Sequence, residues 1–235
     1  MNCNNRQSAF TLIELLSVIA VVSVLFAISA AVYGQARQKA EEATCASNMR
    51  QLGQAMHLHA NEHAGEFPLT MHTLQDVKQS WIYTLEEYLG DIDQIRICPA
   101  DPQGEERMER KLTSYVLNEY LFVPAVDPFG QPIGNSYSNL FTLAHPSKTQ
   151  MAYIISDNSS LGVSSDHTHS RSWSSWSNVM RDIQPNRFSA SVPSGDGMNG
   201  SANYLYADGH VESMTAQEFR DQFSGGINPA DPAQL

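Results

Sequence analysis

The spacing of apolar residues along this chain changes at residue 34. Residues 9–33, AFTLIELLSVIAVVSVLFAISAAVY, form one apolar run containing a single charge, Glu14. A run of about 20 apolar residues is enough to cross a bilayer as one helix. From Gly34 onward the pattern becomes amphipathic. Ala36, Ala40 and Ala43 share a stripe; Cys45, Met49, Leu52 and Met56 follow at helical steps, with Gln38, Glu41, Glu42, Arg50 and Gln51 on the other side. Gly65 suits a left-handed cap and Pro68 bars continuation, so the pattern predicts one helix over residues 10–61. At 1.5 Å per residue that helix is ~75–80 Å long. Its half at 10–33 would lie in a membrane or filament core, and its half at 34–65 would dock a head.

The head, residues 66–224, reads as mixed. Residues 72–89 predict a helix with Trp81, Leu85, Tyr88 and Leu89 available for packing and Gly90 as its stop. Short β-like runs follow at 112–117, 120–123, 138–143 and 150–155. Two further runs, 202–207 and 210–214, are joined by Asp208-Gly209, a strong hairpin signal because a type I′ turn needs positive φ at both central positions. Thr215 and Glu218 then form a capping box opening a helix to Phe223, and residues 225–235 read as a loose tail. The predicted class is α+β: a long N-terminal helix packed on a small antiparallel sheet. Roughly 170 residues beyond the helix suffice for one domain with its own core, and no internal repeat interrupts them.

Charge sharpens this picture at two points. An ionised carboxylate within a membrane span costs on the order of 2.5–3.5 kcal/mol, so Glu14 calls for a partner. The only charge before the run is Arg6, which keeps the amino terminus cytoplasmic and places the head outside. The formal net charge is −11, and loss of Arg6 with a leader makes it one unit more negative. Such acidity argues against nucleic acid as a partner. Two plainer readings of the run are a secretory signal peptide cut near Ser29-Ala30-Ala31 and a simple anchor that tolerates Glu14 at the membrane edge.

The leader MNCNNRQS, Ala9 and then Phe10-Thr11-Leu12-Ile13-Glu14-Leu15 resemble the processing site of type IV prepilins and type II secretion pseudopilins. The resemblance implies a cut by prepilin peptidase between Ala9 and Phe10, methylation of the new Phe10 amine, and pairing of Glu14 with a neighbouring subunit's amino terminus. An α-amino group titrates near ~8 and is largely cationic at neutral pH, as that pairing requires. The family usually has Gly before the cut; Ala9 meets the same demand for a small residue. The implied partners are the peptidase, other pilin subunits through the helix, and the inner-membrane assembly machinery. The implied role is that of a structural subunit, a minor one, of a pilus or pseudopilus, with no cofactor. A non-polymerising anchored binding protein, its head outside the inner membrane, is the alternative.

A second resemblance runs through the head. Cys45-Ala-Ser-Asn48-Met-Arg50-Gln51-Leu52-Gly53, Phe67-Pro68, Cys98-Pro99-Ala100-Asp101, Ser114-Tyr115 and the stretch ending Asp208-Gly209-His210-Val211 occur in the order found in a group of bacterial pilin-like proteins. That group carries a histidine ten positions before the aspartate, where this chain has Met198, so no role of that histidine carries over.

Candidate chemistry is otherwise sparse. Cys3 lies in the leader, leaving Cys45 and Cys98, which either bridge across a loop of about fifty residues, contributing ~2–4 kcal/mol, or stay as buried free thiols. The motifs of serine hydrolases, zinc proteases and phosphate loops are missing. Asp166-His167-Thr168-His169 is the most metal-like cluster, and its Ser-rich setting (156–177) predicts a surface loop. Asp101, Asp196 and Asp208 could supply calcium oxygens, but no ligand spacing compels a site, and Asp208 is explained by its turn. The expectation is therefore no metal and no catalysis. His57 and His63 are expected to be solvated or packed in a groove. Trp173 and Trp176 are either exposed to a partner or form a lid on the sheet.

Overall fold

The computed structural model describes residues 11–71, 80–162, 165–189 and 198–235. Its dominant element is helix α1, Leu12–Glu62, 51 residues and so about 76 Å long. The helix opens on Thr11, whose hydroxyl accepts from the Glu14 amide while the Glu14 carboxylate accepts from the Thr11 amide, a complete capping box. It closes as foreseen. Gly65 has φ +91° and donates its N–H to Ala60 at 2.7 Å, satisfying a terminal carbonyl of the helix.

Four short helices follow: α2 (Trp81–Thr84), α3 (Glu86–Leu89), α4 (Ile92–Ile95) and α5 (Gly104–Glu109). Then come strand β1 (Tyr115–Leu117), helix α6 (Glu119–Phe122), strand β2 (Gln150–Ile154), helix α7 (Trp176–Asp182), the hairpin β3 (Ser201–Tyr206) and β4 (Val211–Thr215), and helix α8 (Ala216–Ser224). The strands form an antiparallel sheet in the order β1-β2-β3-β4. This is the expected class, a long N-terminal helix followed by a small antiparallel sheet.

The sheet is covered on both faces, which is why β1, β2 and nearly all of β3 are buried at every position. One face, with Tyr115, Asn203 and Leu205, meets α1. The opposite face is aromatic. Tyr204 stacks on Phe219 of α8 with ring centroids 5.1 Å apart, and Tyr153 and Trp173 complete the cluster edge-on. On α1 the side chains of Cys45, Met49, Leu52 and Met56 are fully buried against the head. Each burial is worth about 1.5–3 kcal/mol for the larger apolar side chains. Ala36, Ala40 and Ala43, predicted on the apolar stripe, are exposed: the first two precede the point near Glu41 and Glu42 where the head begins to cover the helix, and Ala43 lies on the face of α1 away from Cys45.

Several local expectations are corrected. The run at 120–123 is helical, not extended, because the buried Asn118 caps α6 by accepting from the Tyr120 amide. The run at 138–143 is likewise a 3₁₀ turn, Leu140–Thr142, with Asn139 accepting from the Phe141 amide. Of the predicted helix at 72–89, residues 72–79 lie outside the described residues. The remainder is split at Leu85 into α2 and α3 and stops at Gly90, φ +74°. The carboxy-terminal residues are tied down: Ala230 is buried and accepts from the Asn118 amide at 2.7 Å, and the Asn228 amide donates to Ser170 at 2.9 Å.

Candidate functional site

The apolar half of α1 stands clear of the head. Leu12, Leu15, Val18, Val22, Phe26 and Tyr33 are all exposed, and the helix is long and apolar enough to cross a membrane. In this half Glu14 uses one carboxylate oxygen, Oε2, to accept from both the amide and the hydroxyl of Thr11, each at 2.8 Å. Its other oxygen, Oε1, has no hydrogen bond among the described residues. The carboxylate thus caps its own helix and keeps a free acceptor for a second group. Ala9 and Phe10, the expected cleavage and methylation residues, lie outside the described residues, as do Cys3 and Asp196.

Where α1 reaches the head, the Asp208-Gly209-His210 turn rides on it. The hairpin turn is not the expected type I′, because Gly209 has φ +89° but Asp208 does not share the positive φ. Gly209 passes close to His57, whose Nε2 is 2.9 Å from the Ala207 carbonyl. The helix makes room at Gly53, where a Cβ would sit 2.9 Å from Leu205 Cδ1 and 3.5 Å from Gly209 Cα. Within the turn, the Asp208 carboxylate accepts from the His210 amide at 3.1 Å and pairs with His210 Nδ1 at 2.5 Å, while the His210 ring stacks on Tyr206. Burial pushes the Asp208 carboxyl up, and the bonds from His210 outweigh it and hold it below the usual carboxylate range. About three turns of α1 before Gly53, Glu42 accepts from Ser213 at 2.9 Å through its side chain and from Asn203 at 2.9 Å through its carbonyl. Sequence periodicity had put Glu42 on the solvent side; the hairpin reaches around to meet it.

Cys45 and Cys98 are brought together under this junction. Both are buried free thiols, and the Asn48 side-chain amide, one turn on from Cys45, donates to the Ile97 carbonyl beside Cys98 at 3.1 Å. The Tyr115 hydroxyl donates to Cys45 Sγ at 3.5 Å. Burial opposes a thiolate at Cys45, but the donors Cys98, Tyr115 and Asn203 with the Arg187 charge outweigh it and hold its thiol below the usual range. Hydrogen bonding to Cys45, reinforced by burial, pushes Cys98 upward.

The remaining candidates have structural partners. Asp101 is buried and accepts from Arg107 Nε at 2.9 Å, the Ser114 hydroxyl at 2.6 Å and the Gln103 amide at 2.9 Å. Its oxygens and those of Asp208 thus serve separate networks. Residues 166–170, expected on a surface loop, are mostly buried. Asp166 accepts from the Met71 amide at 2.9 Å and pairs with His167 Nδ1 at 2.8 Å, and residue 167 bridges alongside Leu117 at the β1 edge. Among the described residues no group of three or more His, Cys, Asp and Glu is arranged to hold a metal ion. Trp173 is a lid on the aromatic face, its Nε1 donating to Asp182 at 2.8 Å, and Trp176 packs beside Phe219. Sequence reasoning missed Arg96 and Arg107, both buried, because an arginine's burial depends on carbonyls and carboxylates supplied by distant segments. Arg96 donates to the carbonyls of Arg107, Met108 and Leu112 and pairs with Asp93.

Residues 4–30 match the family model described as the prokaryotic N-terminal methylation motif. The match ends within the apolar half of α1 and does not reach the head. Neither the curated proteins nor the solved structures contain a match to the chain. The amino terminus is therefore of the prepilin type, continued by a helix that fits a membrane anchor, and in this region the chain is pilin-like.

Proposed function

We propose that this chain is a minor structural subunit of a type IV pilus or a type II secretion pseudopilus. Prepilin peptidase cuts it between Ala9 and Phe10 and methylates the Phe10 amine. The chain awaits assembly as a single-pass protein of the inner membrane, with its amino terminus cytoplasmic and its head outside. Assembly packs the apolar half of α1 against the same half of neighbouring subunits. Glu14 supplies the charge partner of an incoming amino terminus.

The observation that carries this reading is the state of Glu14 within the matched motif. It sits on a helix face with no partner in its own head, capping α1 through Oε2 and leaving Oε1 available. In a bundle of apolar helices an unpaired carboxylate is costly, whereas one met by a cationic amine is neutralised.

Glu14→Gln is the discriminating variant, because an amide oxygen can still accept from Thr11 while the charge is lost. The expected result is normal insertion into membranes and at least a tenfold loss of the chain from sheared filaments. Mass spectrometry of those filaments should find the wild-type chain beginning at N-methylated Phe10. Normal incorporation of the Gln variant, or a mature terminus near Ala31, overturns the proposal.

A further inference from the structure

We propose that Cys45 and Cys98 are a modification site, oxidised to a disulfide that clamps the bare helix to the head at the point where it enters. Three observations place the bond there. Cys45 is the first fully buried position met along α1 from the exposed half, so it marks where the free-standing helix becomes part of the fold. Cys98 lies in the Cys-Pro-Ala-Asp loop, which is itself fixed: the Asp101 amide donates to the Cys98 carbonyl at 2.9 Å, and the Asp101 carboxylate is locked to Arg107 and Ser114. The segments carrying the two sulfurs are tied together: the Asn48 side-chain amide, one turn on from Cys45, donates to the carbonyl of Ile97, the residue before Cys98, at 3.1 Å. A mechanical load passed from the membrane half of α1 to the head would first strain the polar contacts of Glu42 and then peel the helix away at Cys45. A covalent link at that residue opposes peeling once the hydrogen bonds of Glu42 have yielded.

The bond requires an oxidant, and its chemical class is a dithiol–disulfide oxidoreductase in its disulfide form. The Cys45 thiolate attacks one sulfur of that disulfide, forming a mixed disulfide and displacing one thiolate of the oxidant. The Cys98 sulfur, on losing its proton, attacks the Cys45 sulfur and displaces the second thiolate. Two protons and two electrons end on the oxidant, which leaves as a dithiol. Both thiols are closed off in the finished fold, so the exchange takes place as the amphipathic half of α1 docks. The inference rests on the proposed function only in placing the head outside the reducing cytoplasm.

The test uses the full chain purified in detergent from the membranes of the cells that make it, denatured and alkylated before and after reduction, with intact mass as the readout. A bridged chain is two hydrogens lighter than its dithiol form. It leaves Cys45 and Cys98 unlabelled before reduction and labels both afterwards. The same spectrum reads the amino terminus, so the two proposals separate. A chain starting at methylated Phe10 with both thiols labelled before reduction overturns the clamp and leaves the assembly reading standing. A chain starting at Met1, with Cys3 labelled and the other two bridged, does the reverse. Reduction should also lower the melting temperature of the wild type by roughly 4–16 °C while leaving the C45S/C98S double variant unmoved. An unchanged wild-type melting temperature overturns the clamp.

Discussion

At the scale of single residues, part of the head is held by buried polar groups with full sets of partners, although the Tyr153 and Tyr204 hydroxyls have no hydrogen-bond partner among the described residues. Asp101 and Arg107 are the clearest case, since both side chains are almost fully buried and the carboxylate receives three donors. Removing one member of a buried pair leaves the other charge uncompensated, at a cost of about 3–5 kcal/mol. Asp101→Asn is therefore expected to cut the stability of the head by that amount in denaturant titration, with no change in membrane insertion. A second pair controls a pH response. The Asp182 hydrogen bond raises His169, outweighing partial burial, whereas burial of Asp182 is outweighed by bonds from His169 and Trp173 that lower it. A raised histidine contributes stability below its unfolded value and loses it as pH climbs through the folded one. A lowered aspartate contributes above its unfolded value and loses it as pH falls. The pair thus contributes fully between about pH 4 and 6.5. His169→Gln should flatten the alkaline side of a plot of melting temperature against pH; an unaltered slope there removes the pair as its cause.

At the scale of elements, the junction of α1 with the β3–β4 hairpin is the contact on which the architecture depends. The close approach at Gly53 leaves no room for a branched side chain beneath Leu205 and Gly209. Gly53→Val should cost about 1–3 kcal/mol through overpacking, read as a shifted denaturation midpoint. Gly53→Ala should cost less, because the nearest atom is the mobile end of Leu205. The elements that were legible beforehand share a property: each carries its signal within one continuous window. The long helix has its periodicity, the hairpin its Asp-Gly turn, and α8 its capping box from Thr215 to Glu218. The runs at 120–123 and 138–143 misled because windows of four to six apolar residues fit either period. Side-chain caps from Asn118 and Asn139 decided them as helical turns.

At the scale of the molecule, the chain divides into a bare apolar rod and a head that closes without it. The large apolar residues of α1 before Gly34 are exposed, while the core cluster begins at Cys45. A chain starting at Gln35 is expected to remain folded and soluble without detergent, with the helix content of a shortened α1 by circular dichroism; aggregation of that chain would show that the rod supports the head. The long helix, its apolar and amphipathic halves, the odd carboxylate at Glu14, the Asp208-Gly209 turn and the α+β class were all determined by sequence alone, because periodicity, turn chemistry and capping act between near neighbours. Tertiary structure alone decided that Cys98 lies against Cys45, that Asp101 serves Arg107 rather than an ion, that His57 holds the hairpin, and that residues 166–170 are buried. Each of these pairs groups far apart along the chain or sets burial by what packs on top, and neither distance nor cover is encoded in a local window.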